Sequence, residues 1–106
     1  MNIKFCYQYR DGANYKQYNE LIFANPTNKS SQKIELIIRQ YLIDEMWFVA
    51  DDWNIANQFF KNYVFNNEID HSWHEFDGVE ETAEQVTEQN NIEQFLLLVQ
   101  KTKFSW

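Results

Sequence analysis

Asn2-Ile3-Lys4-Phe5-Cys6-Tyr7-Gln8-Tyr9-Arg10-Asp11-Gly12 opens the chain with a large apolar side chain at every second position, Ile3, Phe5, Tyr7 and Tyr9. Side chains on a strand alternate between its two faces, so this period predicts a half-buried strand, ended by the turn-forming pair Asp11-Gly12. A second strand over about residues 14–24 follows from Tyr15, Tyr18, Leu21, Ile22 and Phe23, making an N-terminal hairpin. A two-residue turn at Asp11-Gly12 would set Tyr15 opposite Gln8, away from the face of Tyr7 and Tyr9. A loop of about three to five residues restores a common apolar face and is the expected connection.

Beyond the hairpin, Asn25-Pro26-Thr27-Asn28 breaks the strand, and Ser30 or Ser31 can cap a helix by accepting from a free N–H of its first turn. Ile34, Ile37, Ile38, Tyr41 and Leu42 then fall on one helical stripe, which predicts a helix packed on the hairpin. Met46-Trp47-Phe48-Val49-Ala50 suits a short central strand, and Asp51-Asp52 could cap a helical turn around Trp53. Residues 54–67 are ambiguous in pattern. Residues 72–76 read as a strand, preceded by the turn-like Asn66-Asn67 and ended by Asp77-Gly78. Residues 80–88 have helix-forming side chains without an apolar face, as in a frayed helix or an ordered loop. Asn90 or Asn91 caps a last helix over residues 92–103, with Ile92, Phe95, Leu96 and Val99 as its stripe. Glu93 in its first turn and Lys101 and Lys103 in its last suit the helix dipole. The order ββαββα predicts an α+β fold, an antiparallel sheet of about four strands with helices packed on one face, as a single domain over residues 1–106.

The 106 residues include nine Phe, six Tyr and four Trp, so a few large rings must supply much of the buried area. A single cysteine, Cys6, excludes an internal disulfide, no charged-then-apolar leader opens the chain, and no apolar run approaches a membrane span. A cytoplasmic setting with no membrane association is expected. The net charge of -7 is uneven: residues 1–61 carry seven acids and seven bases, residues 62–106 nine acids and two bases. Between Lys61 and Lys101 no Lys or Arg occurs, which reads as a negative field unopposed over that stretch and argues against nucleic-acid binding.

Cys6-Tyr7-Gln8-Tyr9-Arg10-Asp11-Gly12-Ala13-Asn14-Tyr15-Lys16, the Phe23-Ala24-Asn25-Pro26 turn and Trp73-His74-Glu75-Phe76 together resemble a family of small bacterial proteins of about this length. The likeness covers most of the chain. It implies a bacterial, cytoplasmic, stand-alone domain, and it brings no activity, cofactor or catalytic residue with it.

Chemistry concentrates in Asp70-His71-Ser72-Trp73-His74-Glu75-Phe76-Asp77, which holds both histidines. Imidazole and carboxylate are suitable ligands for zinc, but residues three apart on a strand face opposite ways, so no metal is expected at His71 and His74. His74 beside Glu75 could serve acid/base chemistry, yet there is no Gly-x-Ser-x-Gly elbow and no Walker loop, and two glycines leave little for a phosphate cradle. Trp73 and Phe76 read as core residues, with Trp73 alternatively an outward interface anchor. The hairpin end from Arg10 to Lys16 reads as turn chemistry, and Cys6 as a buried inert thiol. The expected function is a non-enzymatic protein-binding or regulatory module, of the immunity or antitoxin class, with no cofactor and no catalytic residue. Asp70, Trp73, His74, Glu75, Asp77, Glu80, Glu81 and Glu84 form the candidate face for a basic protein partner, residues 1–61 being mainly scaffold. A small metal-dependent or acid/base hydrolase centred on His71 and His74, and a structural or oligomerising domain, are the alternatives.

Overall fold

The computed structural model of the chain describes residues 1–10, 16–49, 53, 55 and 73–101. Its alternating opening forms β1 (Asn2–Arg10), and β2 (Lys16–Phe23) runs back antiparallel beside it. Tyr9 pairs with Gln17, Tyr7 with Asn19, Phe5 with Leu21 and Ile3 with Phe23; the last pair, Arg10 with Lys16, leaves residues 11–15 as the connection. That register excludes the two-residue turn, and residues 11–15 themselves lie outside the described residues. The same register places Leu21 and Phe23 on the buried face of Ile3, Phe5 and Tyr7, and Tyr18 and Glu20 on the face of Lys4 and Cys6.

Among the described residues four strands form one antiparallel sheet in the order β2-β1-β4-β3, with β3 at Trp47–Val49 and β4 at Trp73–Thr82. Two expectations are corrected here. Among the described residues the Met46–Ala50 run supplies an edge strand rather than a central one, because β4 takes the place beside β1. Strand β4 does not end at Asp77-Gly78 but continues through Glu80 and Glu81 to Thr82. Phe76 pairs with Tyr7 and Gly78 with Cys6, so Asp77 is an extra residue in a bulge. The bulge shifts the alternation by one residue, which brings Phe76 and Val79, three apart, to the same packed face. Residues 83–90 are neither helix nor strand, so the ordered-loop alternative holds there and the frayed helix does not.

Helix α1 (Ser31–Arg39) begins at Ser30, whose hydroxyl accepts from the Lys33 N–H (3.2 Å). Ile34, Ile38 and Leu42 are buried, with Ile37 and Tyr41 packed partly against the core. The helix lies over β4 and touches α2, and its Ile34 and Ile38 enter the same buried cluster as Ile3, Phe5, Leu21 and Phe23 of the hairpin. Ile43 and Trp47 then exchange backbone hydrogen bonds (2.7 and 2.9 Å) across a tight reversal, where Asp44 and Glu45 take positive φ values of 51° and 65°. Helix α2 (Ile92–Lys101) starts with a reciprocal cap: the Gln94 N–H donates to Asn91 Oδ1 (2.9 Å) and the Asn91 N–H to Gln94 Oε1 (2.8 Å). Its stripe of Ile92, Phe95, Leu96 and Val99 is buried as the spacing demands. Trp53 sits in a helical turn and, like Ile55, is buried; Asp51-Asp52, the rest of residues 54–67, and residues 102–103 lie outside the described residues.

Phe5 is the hub of the core. Its ring lies 5.2–6.2 Å from those of Tyr7, Phe48, Trp53, Phe76 and Phe95. Phe48 stacks on Trp53 (4.4 Å) and Phe23 on Phe95 (4.6 Å), so strands and helix α2 meet through rings.

Candidate functional site

The block that concentrates chemistry in the sequence is separated by the strand it builds. Asp70, His71 and Ser72 lie outside the described residues, and Trp73 opens β4. His74 is not at a surface, as a partner face would require, but fully buried. Its ring lies 5.2–5.9 Å from those of Tyr9, Tyr7 and Phe48. Glu75 pairs with Gln8 on one side and Trp47 on the other, on the opposite face of the sheet from His74. Phe76 returns to the core, where the Arg39 guanidinium stands 5.0 Å from its ring centre, and Asp77 is exposed at the bulge. Among the described residues, no three His, Cys, Asp or Glu side chains converge as metal ligands, and no helix is long and apolar enough to cross a membrane.

What the fold does assemble is an acidic group around Lys4. Strand β1 points Lys4 and Cys6 away from the core, the register with β2 sets Glu20 opposite Cys6, and that with β4 sets Glu80 opposite Lys4. The chain after β4 adds Glu84. Its N–H donates to the Thr82 hydroxyl (3.1 Å), that hydroxyl donates to Glu84 Oε2 (3.0 Å), and Asn2 Nδ2 donates to the Glu84 carbonyl (2.8 Å). Lys4 Nζ stands 3.6 Å from Glu20 and 3.5 Å from Glu80, and it pairs most closely with Glu84. The lysine is largely covered, with 13% of its side chain accessible, whereas the three carboxylates are more than half exposed.

One cation among three carboxylates leaves the group net negative. Its bond to Glu84, with Glu20 and Glu80 adding to it, raises the Lys4 pKa above the ordinary value, against the effect of burial. Lys4 and the Thr82 hydroxyl in turn hold the Glu84 carboxyl below the usual range. Burial, followed by the charges of Glu20, Glu80 and Asp77, pushes the Cys6 thiol up to about 11, away from the thiolate that nucleophilic chemistry needs. Glu93, on α2, accepts from the Thr27 hydroxyl (2.6 Å) and pairs with Lys29 (3.3 Å), which lowers its pKa.

The negative field of residues 62–100 is therefore not unopposed, as their lack of Lys and Arg suggested: Lys4 and Lys29 reach it from distant positions in the chain. Glu20 is the acidic member that sequence reasoning missed, and Lys4 is the cation. The signal for both was the antiparallel register, since strand pairing brings residues 4, 20 and 80 together whatever their separation. Asp77, Glu80, Glu81 and Glu84 are exposed, but Glu81 stands opposite Ile3, on the other face of the strand from Glu80, and does not join the group around Lys4. Elsewhere, a cleft of about 250 Å³ has Phe23, Trp53 and Phe95 beneath a rim of residues 87–90, and another of about 320 Å³ lies between Leu36 on α1 and Val79 on β4. No protein-family model, curated protein or solved structure matches this chain.

Proposed function

We propose that the chain is a protein-binding module that offers the carboxylates Glu20, Asp77, Glu80 and Glu84 to a basic protein partner in a cytoplasmic setting. The observation that carries the reading is the arrangement around Lys4: a covered lysine holds Glu20, Glu80 and Glu84 together while leaving each of them exposed. Ordered carboxylates on a rigid sheet present charge at fixed spacing, which speeds encounter with a cationic surface and selects its orientation. Both helices lie on the core side, so that the face of Lys4 and Glu20 is the one offered. A basic enzyme that binds phosphates would find in this face a substitute for them, as small acidic inhibitors of the immunity and antitoxin kind provide.

Capture from bacterial extract, with bound proteins identified and quantified by mass spectrometry, tests this reading. The wild-type chain should enrich basic proteins, and Glu20→Gln/Glu80→Gln should lose them several-fold while melting as a folded protein, because both carboxylates are exposed and Lys4 keeps Glu84. Recovery should fall from low to physiological salt as the Debye length shortens to about 8 Å. An unchanged set of captured proteins, for the variant and at both salt levels, would refute the reading.

A further inference from the structure

Strand β4 is paired with β1 on one side, but on the other side only its start has a neighbouring strand among the described residues. Along an antiparallel strand the N–H and C=O of one residue point to the same side, and successive residues alternate sides. Ile22 turns its pair away from β1: the N–H donates to Thr87 Oγ1 (2.9 Å), and the carbonyl accepts from the N–H groups of Thr87 (2.9 Å) and Glu88 (3.2 Å). Its partner Lys4 therefore turns away from β2 and meets Glu80, which leaves Val79 and Glu81 turned outward from β1. Strand β3 pairs with Trp73–Glu75 and the Phe76 N–H donates to the Met46 carbonyl (2.9 Å), but among the described residues no strand continues along β4 beyond that point. Asp77, Glu80 and Glu81 are exposed there. Val79 also lines the cleft of about 320 Å³ beside α1, across from Leu36, which is 66% exposed.

We propose that this edge takes an extended segment of a basic partner as an added antiparallel strand, and that it selects two basic residues followed by an aliphatic one. In such a pairing the residues opposite Val79 and Glu81 exchange both backbone bonds with them, and residues opposite each other share a face. The aliphatic residue then stands beside Val79 and enters the cleft towards Leu36. The residue before it lies opposite Glu80, on the face of Lys4, and the one before that opposite Glu81, on the other face, so a cation at each meets a carboxylate. Charge decides the occupant. Asp77, Glu80 and Glu81 border the edge, and the sequence from Asn62 to Gln100 holds no Lys or Arg, so an acidic or neutral strand would find no cation there to pair with. A second copy of this chain does not supply the pattern, because no two Lys or Arg residues are adjacent anywhere in it. Four backbone bonds and one covered side chain place the contact in the weak class, with a dissociation constant of about 0.1–1 mM for an isolated peptide. This mode of grip rests on the basic-partner reading and adds the form in which the partner is held.

NMR titration of the isotope-labelled full chain with the end-blocked peptide Thr-Thr-Lys-Lys-Leu-Thr-Thr tests it. The amide signals of Val79 and Glu81 should shift, and the peptide leucine methyls should show NOEs to Leu36 and Val79. The peptide Lys-Thr-Thr-Leu-Thr-Thr-Lys has the same composition but sets threonines opposite Glu80 and Glu81 when its leucine faces Val79, so it should bind several-fold more weakly. Val79→Pro removes an N–H that points away from β1, a place where an edge strand accepts proline, and it keeps every carboxylate; it should lose the peptide while staying folded. Equal binding of the two peptides, or equal binding by the wild type and a folded Val79→Pro, would mean attraction by charge alone and overturns the edge site. A wild-type chain that binds neither peptide up to about 5 mM overturns it equally. Extract separates this site from the reading beneath it. Capture of basic proteins that survives Val79→Pro but is lost in Glu20→Gln/Glu80→Gln overturns the edge and leaves the basic partner standing, whereas a chain that grips the peptide yet captures no basic protein keeps the edge and loses that partner.

Discussion

Cys6 and His74 show how little a residue's identity says about its chemistry until its face is known. Both stand on strands, but β1 turns Cys6 out among Lys4, Glu20 and Glu80 while β4 turns His74 into the ring cluster of Tyr7, Tyr9 and Phe48. With its pKa pushed up to about 11 from an ordinary 9.0, Cys6 holds far less thiolate at pH 8 than an unperturbed cysteine. Alkylation by iodoacetamide at pH 8 should be slower by about tenfold or more in the folded chain, and urea should restore the ordinary rate. Burial leads the carboxylate charges among the causes, so Glu20→Gln/Glu80→Gln should accelerate the reaction less than unfolding does. A folded-state rate equal to that of free cysteine would contradict the placement. The sequence reading of an inert thiol rested on its aromatic neighbours in the chain, whereas the face it occupies carries charges contributed by two other strands.

Elements defined by local interactions were the most legible. The Ser30 cap, the Asn91–Gln94 cap and the stripes of both helices involve residues within a few positions of one another, so the chain announces them directly. Strand β4 was cut short because its apolar period breaks at Asp77-Gly78, and a bulge restores that period in space without restoring it in sequence. The apolar run of β3 suits a central strand but does not reveal which strand pairs with β1, a choice fixed by contacts across the whole chain. The bulge leads to a prediction that separates it from a turn. Gly78 does not have a positive φ, and a Cβ built on it meets nothing within 4 Å. Gly78→Ala should therefore leave the fold intact and stabilise it by up to about 1 kcal/mol, through loss of unfolded-state freedom. Urea melts giving a loss of more than about 1 kcal/mol would mean that the glycine conformation is required there.

At the scale of the whole molecule, ion pairs decide how an acidic chain answers to pH. A net charge of -7 suggests that acid should stabilise it by relieving self-repulsion, but linkage counts only groups whose pKa differs between the folded and unfolded states. Glu84 and Glu93 are both lowered on folding, the first by Lys4 and Thr82, the second by Thr27 and Lys29. A lowered carboxylate contributes stability that is present above its unfolded value, 4.5, and is lost as pH falls through the folded value. Lys4 acts in the opposite sense. Raised on folding, it contributes fully below its unfolded value of 10.5, and that contribution is lost as pH rises through the higher folded value. The contributions of these three groups should therefore be lost on acidification below about pH 4.5 and again in alkali beyond about pH 10.5. Glu84 and Glu93 each tie the C-terminal half to residues near the start of the chain, so their loss loosens the joining of the two halves. Urea midpoints measured from pH 7 to pH 3 should drop in the wild type and drop much less in Glu84→Gln/Glu93→Gln, which begins less stable at pH 7. Equal acid slopes for the two proteins would show that these pairs do not set the acid limit.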